Sequence, residues 1–107
     1  MQSSDPAGSV TGYLVERYVR PSDVPHLPDF VALVARLCAD RGHARLGVTY
    51  LHSAYLPAED TCFCLFRAPS SDAVRAVNRE ARFPLDRITD AVLLLSTDLS
   101  APKEILS

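Results

Sequence analysis

Three side chains could do chemistry together. Cys62 and Cys64 stand two apart in TCFCLF, and His52 lies upstream in GVTYLHSAYL. Residues two apart on an extended strand share a face. Two thiolates beside an imidazole would suit nickel, copper(I) or zinc. The two Cα atoms would stand about 6.5 Å apart, near the upper limit for a disulfide. The plain alternative makes both cysteines small apolar fillers beneath a helix, and His52 a hydrogen-bonded packing residue. Whether His52 shares the cysteines' face depends on the register between its strand and theirs, because a one-residue slip exchanges faces.

Other candidates are more dispersed. His26 and His43 sit in loops on either side of a helix, with Asp23, Asp29 and Asp40 the nearest carboxylates in sequence. Either reads as a solvated loop residue or as an exposed ligand completed by a carboxylate or a symmetry mate. Cys38 falls within a helical apolar stripe and reads as core. Tyr50, Arg67, Asp90 and Asn78 are polar groups among apolar neighbours, the general pattern of a small-molecule site. Glu16, Arg17, Arg67, Arg87 and Asp90 are charges on or beside strands. Their plain reading is pairing across strands or at a dimer interface.

Several function classes are excluded by what the chain lacks. With only four glycines there is no glycine-rich phosphate loop, and no HExxH, GxSxG or zinc-finger spacing occurs. Basic residues are scattered and the net charge is −2, which argues against a nucleic-acid partner. No run of about 18 apolar residues suggests a membrane span. The first ten residues, MQSSDPAGSV, lack the basic start and apolar core of a signal peptide. An odd count of three cysteines fits free thiols in a reducing cytoplasm.

The elements that must position these residues follow from periodicity. A polar stretch, 1–11, reads as a disordered tail, and 99–107 as a short second tail. Between them, 12–98 reads as one domain. Gly12–Arg20 reads as a strand with Tyr13, Val15, Arg17 and Val19 on one face. Pro28–Arg41 reads as a helix whose stripe is Phe30, Leu33, Val34, Leu37 and Cys38, with Pro28 in the first turn and Gly42 as the stop. Gly47–Leu56 and Thr61–Ala68 are β-rich runs around a Pro57–Asp60 break, a hairpin signature. Ser70 or Ser71 caps a second helix buried through Ala73, Val74, Val77 and Ala81. Ile88–Thr97 reads as the last strand.

The order is strand, helix, strand, strand, helix, strand. It predicts an α+β, ferredoxin-like βαββαβ fold, an antiparallel four-stranded sheet with both helices on one face. All four strands carry apolar residues in both phases, so the second face also calls for cover. A homodimer through the sheet supplies it most simply.

Five stretches in this order, YLVER (13–17), GVTYLHS (47–53), FCLFRAP (63–69), DAVRAV (72–77) and FPLDRIT (83–89), resemble a known family. They are similar to the small bacterial nickel-binding, ferredoxin-like proteins, formerly a domain of unknown function. The resemblance covers roughly Gly12 to Leu95. It implies the fold, a dimer and surface nickel binding. Family members often carry a histidine on the second helix where this chain has Val77 and Asn78.

Three functions follow as expectations. The leading one is a non-catalytic cytoplasmic dimer binding nickel or another late transition metal through His26, His43, His52, Cys62 and Cys64. The next is a dimeric α/β-barrel enzyme or binding protein that holds a small hydrophobic molecule between sheet and helices, near Tyr50, Asn78, Arg67 and Asp90. The last is a dimerisation module without a ligand.

Overall fold

The computed structural model describes residues 9–40 and 46–94. Four strands, β1 (Ser9–Tyr18), β2 (Thr49–Leu56), β3 (Thr61–Arg67) and β4 (Arg87–Leu94), form one antiparallel sheet in the order β2-β3-β1-β4. Two helices, α1 (Leu27–Ala39) and α2 (Ser71–Glu80), complete an α+β chain. β1 and β3 are the interior strands, so residues on them are enclosed on both sides within the sheet.

One sheet face is covered by both helices. Val15 of β1 and Cys62, Cys64 and Phe66 of β3 pack against Val34 and Cys38 of α1 and Ala73, Val74 and Val77 of α2. Burial of these apolar side chains is the main stabilising term. The inward phase on β3 is strict, with Cys62, Cys64 and Phe66 buried and their neighbours half-buried or exposed.

Local chemistry explains the element ends. Ser70 caps α2, its Oγ accepting from the Ala73 N–H at 3.2 Å, and Asp72 sits in the first turn. Arg82 takes the left-handed conformation (φ 57°) just beyond α2, and Phe83 N–H then donates back to the Asn78 carbonyl. The β2–β3 connection is a 3₁₀ turn, Pro57–Glu59, closed by Asp60 in the left-handed conformation (φ 52°).

Some boundaries differ from expectation. β1 begins at Ser9, inside the stretch read as tail, because its first residues pair with the end of β4 (Ser9 with Leu94). A 3₁₀ turn, Pro21–His26, precedes α1, where prolines 21 and 25 fix φ without ending the turn. The rest of both tails, Gly42, and the end of the last expected strand lie outside the described residues.

Gly12 marks the closest approach within the sheet. A Cβ there would lie 2.6 Å from the Phe66 carbonyl oxygen and 2.6 Å from Leu93 Cδ1. The leucine can rotate away, but the backbone oxygen of an interior strand cannot. Gly12→Ala is expected to cost about 1–3 kcal/mol, read by urea unfolding. An unchanged midpoint would show that β1 and β3 can part freely.

Candidate functional site

The covered face holds a buried polar cluster centred on Arg17. Arg17 lies in phase with Val15 and Val19, which points it between sheet and helices, where it is 1% exposed. Its Nη1 donates to the Phe83 and Pro84 carbonyls, each at 3.1 Å, and Nη2 donates to Asn78 Oδ1 at 2.9 Å. Asn78 is held in turn by its Nδ2, which donates to the Val74 carbonyl at 2.8 Å. The guanidinium carbon sits 3.4 Å from the centroid of the Phe83 ring, and that ring stacks on Phe30 of α1 at 4.9 Å. All these partners are neutral. Among the described residues no carboxylate lies within ion-pair distance of Arg17, and its Nε has no hydrogen-bond partner.

The thiols lie beside this cation. Arg17 is directly opposite Cys62 in the β1–β3 ladder. Cys62 and Cys64 are free, buried, and adjacent on the covered face of β3. On the far side, Ser53 of β2 faces Cys64 and its hydroxyl donates to the sulfur at 2.9 Å, while the Tyr50 hydroxyl is 2.8 Å from Ser53 Oγ. The Cys62 hydrogen bond, the Arg17 charge and the Ser53 hydroxyl pull the Cys64 thiol below its ordinary value, against the opposing effect of burial. Cys62, which keeps the shared proton, is pushed up by that hydrogen bond, by burial and by the charge on Cys64. Cys38 stands apart: burial pushes its thiol up to about 11.

A β-bulge decides where His52 goes. Tyr50 pairs with Phe66, but His52 pairs with Leu65, so Leu51 is an extra residue in β2. Without the bulge Tyr50 and His52 would share a face. With it, Tyr50 and Ser53 turn inward and His52 turns to the opposite, uncovered face. The register therefore separates His52 from Cys62 and Cys64, which closes the question the sequence left open.

The open face carries His52, Ala54 and Leu56 on β2, Phe63, Leu65 and Arg67 on β3, Leu14, Glu16 and Tyr18 on β1, and Arg87, Thr89 and Ala91 on β4. No described element covers it, and Tyr18 is 62% exposed. Glu16 and Arg87 pair across strands at 3.7 Å, the cross-strand role expected for them. Arg67 and Asp90 are both exposed but lie on opposite faces, Asp90 opposite the inward Tyr13. Tyr50, Asn78, Arg67 and Asp90 thus do not converge on one pocket. His26 is exposed at the end of the first 3₁₀ turn, and His43 lies outside the described residues. Among the described residues, no three His, Cys, Asp or Glu side chains converge as a metal-binding group.

A partly open cleft of about 280 Å³ adjoins the Arg17 cluster at the end of β1, lined by Arg17, Arg20, Leu27, Phe30, Phe83 and Asp86. Sequence reasoning missed Ser53 as a partner of the thiols and the central place of Arg17. The signal for Arg17 was its phase with Tyr13, Val15 and Val19. For Ser53 there was none, because its inward turn depends on the bulge.

A family profile described as nickel responsive protein, SCO4226-like, matches residues 13–90. The chain belongs to this family. The crystal structure of SCO4226 from Streptomyces coelicolor A3(2) superposes with a TM-score of 0.50 over 73% of this chain and 91% of that one, at 18% identity. At that identity the likeness concerns the fold. No curated protein matches the chain. Among the described residues, no helix of this SCO4226-like protein is long and apolar enough to cross a membrane.

Among the described residues, Asn78 is the side chain that accepts a hydrogen bond from the buried guanidinium. Asn78→Ala leaves Nη2 without its acceptor and is expected to destabilise the fold by about 1–3 kcal/mol. Chemical denaturation monitored by circular dichroism reads this, and a change below about 0.5 kcal/mol would show that water replaces the amide.

Proposed function

We propose that this protein is a small, non-catalytic cytoplasmic dimer that takes up nickel, or another late transition metal, on the open face of its sheet. The observation that carries the reading is the position of His52, an exposed imidazole on an uncovered, largely apolar sheet face in a chain of a nickel responsive family. We read the βαββαβ order, with β1 and β3 interior, as the ferredoxin-like arrangement.

The two thiols do not suit a cation: they are buried, committed to Ser53 and to each other, and lie against an uncompensated guanidinium. Imidazole suits nickel, and His52 and His26 are exposed. One imidazole holds such an ion weakly, so a single chain supplies too few donors in one place. A two-fold axis through the open face doubles every donor on it, His52 and Glu16 included, because an isologous interface presents the same patch twice. Leu14, Phe63 and Leu65 supply the apolar centre such an interface needs. Bound there, the metal would bring charge and a preferred geometry to the dimer, and the chain's part is to position imidazoles and exclude water around them.

The cleft at the end of β1 supports a second reading, a binding site for a small molecule with an apolar body. Its volume is near the lower limit for such sites, and Phe30 and Phe83 already fill part of the space between sheet and helices by stacking on each other.

Titration of tag-free protein with nickel(II), with mass followed by sedimentation, tests the first reading. Wild type is expected to saturate at a whole number of ions per dimer, and His52→Ala to lower that number with the dimer intact. Unchanged stoichiometry would remove His52 from the site. Leu65→Glu places a charge at the centre of the open face and is expected to yield folded monomers with weakened nickel uptake. A Leu65→Glu dimer would place the interface elsewhere.

A further inference from the structure

We propose that Cys62 and Cys64 form a redox-active thiol pair, in which Cys64 reacts with a small hydroperoxide and Cys62 then closes the disulfide. The inference is independent of the metal reading, since the pair lies on the other face of the sheet.

Arg17 supplies the first reason. A guanidinium buried with only neutral partners is costly unless an anion lies close. Within the described residues no carboxylate serves, and the acidic groups facing it are the two thiols. Loss of one proton from the pair gives Arg17 its counter-charge. Geometry then selects the sulfur. Cys64 accepts from the Ser53 hydroxyl at 2.9 Å, with Tyr50 2.8 Å behind it. Cys62 stands beside it on the same face of β3 and can donate its proton to Cys64. Cys64 is therefore the sulfur that holds the charge, in a setting of cation and donors that promotes thiolate reactivity.

The chemistry balances as two steps. The Cys64 thiolate attacks the terminal, hydrogen-bearing peroxide oxygen, so an S–O bond forms and the O–O bond breaks. Sulfur is oxidised by two electrons, and the leaving hydroxide or alkoxide departs as water or alcohol after taking from solvent a proton equivalent to the one the thiol pair gave up. The product is a Cys64 sulfenic acid. The Cys62 sulfur then attacks the Cys64 sulfur. An S–S bond forms, the S–O bond breaks, and hydroxide leaves with the Cys62 proton as water. Residues two apart on a strand stand about 6.5 Å apart at Cα, close to the limit for a disulfide, so the oxidised pair should be readily reduced by small thiols. Burial of both sulfurs (each 1% exposed) restricts the oxidant to hydrogen peroxide and similarly small hydroperoxides.

Cys38 serves as an internal control, a third buried cysteine whose thiol is held protonated. Reduced full-length protein is treated with hydrogen peroxide at neutral pH and its peptides are weighed over time. The 62–64 peptide is expected to lose two hydrogens at least about tenfold faster than Cys38 is oxidised, because thiolate fraction sets the rate. Cys62→Ser is expected to stop at the sulfenic acid, trapped by dimedone on Cys64. Ser53→Ala, which keeps the packing, is expected to slow the first step severalfold. Equal rates at Cys38 and Cys64, no oxidation of the pair, or no dimedone adduct in folded Cys62→Ser would each overturn the proposal. Because the first measurement uses wild type, a variant that fails to fold does not protect the idea.

Discussion

The buried guanidinium of Arg17 is the constraint on which the covered face depends. Taking that charge out of water is tolerable only if every polar group around it is placed. The chain meets most of this with two carbonyls just beyond α2, the Asn78 amide within α2, and the Phe83 ring beneath the guanidinium, and leaves Nε without a hydrogen-bond partner. Phe83 in turn stacks on Phe30 of α1. One side chain from an interior strand thus fixes the end of α2, the turn after it and the position of α1 at a single point. Arg82 in the left-handed region turns the chain so that the Phe83 and Pro84 carbonyls can reach Arg17.

The bulge at Leu51 gives the sheet its second organising feature. By adding one residue to β2 it points Tyr50 and Ser53 toward the thiols and His52 away from them. The result is two separate chemistries back to back: sulfur, hydroxyl and guanidinium in the dry interior, imidazole and carboxylate on the open face. On the two readings proposed above, a cation and a guanidinium-stabilised thiolate would make opposite demands on their surroundings, and the sheet would keep them apart.

Much of this was legible in the sequence because it rests on local patterns. Apolar spacing in Val34 and Cys38, the serine cap before Ala73, and the Pro57–Asp60 break located the helices and the hairpin. The phase of Tyr13, Val15, Arg17 and Val19 already put Arg17 on one strand face with three apolar residues, without saying that this face was the covered one. The five family stretches pointed to the SCO4226-like family before any fold was in view. The bulge was not legible, since it depends on pairing between β2 and β3 and no glycine marks it. Without it, Tyr50 and His52 look like neighbours on one face, and Ser53 looks like a surface residue. The grouping of Tyr50, Asn78, Arg67 and Asp90 failed for a related reason: sequence gives the alternation within each strand but not which phase of one strand shares a face with which phase of the next.

We propose that metal chemistry belongs to the open face and sulfur chemistry to the interior. X-ray absorption at the nickel edge of nickel-loaded wild-type protein tests it most directly, because it reads the atoms bound to the metal without altering the chain. The expected result is a shell of nitrogen and oxygen scatterers with the signature of imidazole and no sulfur. A sulfur shell around nickel would contradict it, placing the metal on Cys62 and Cys64 and removing the separation on which both proposals stand.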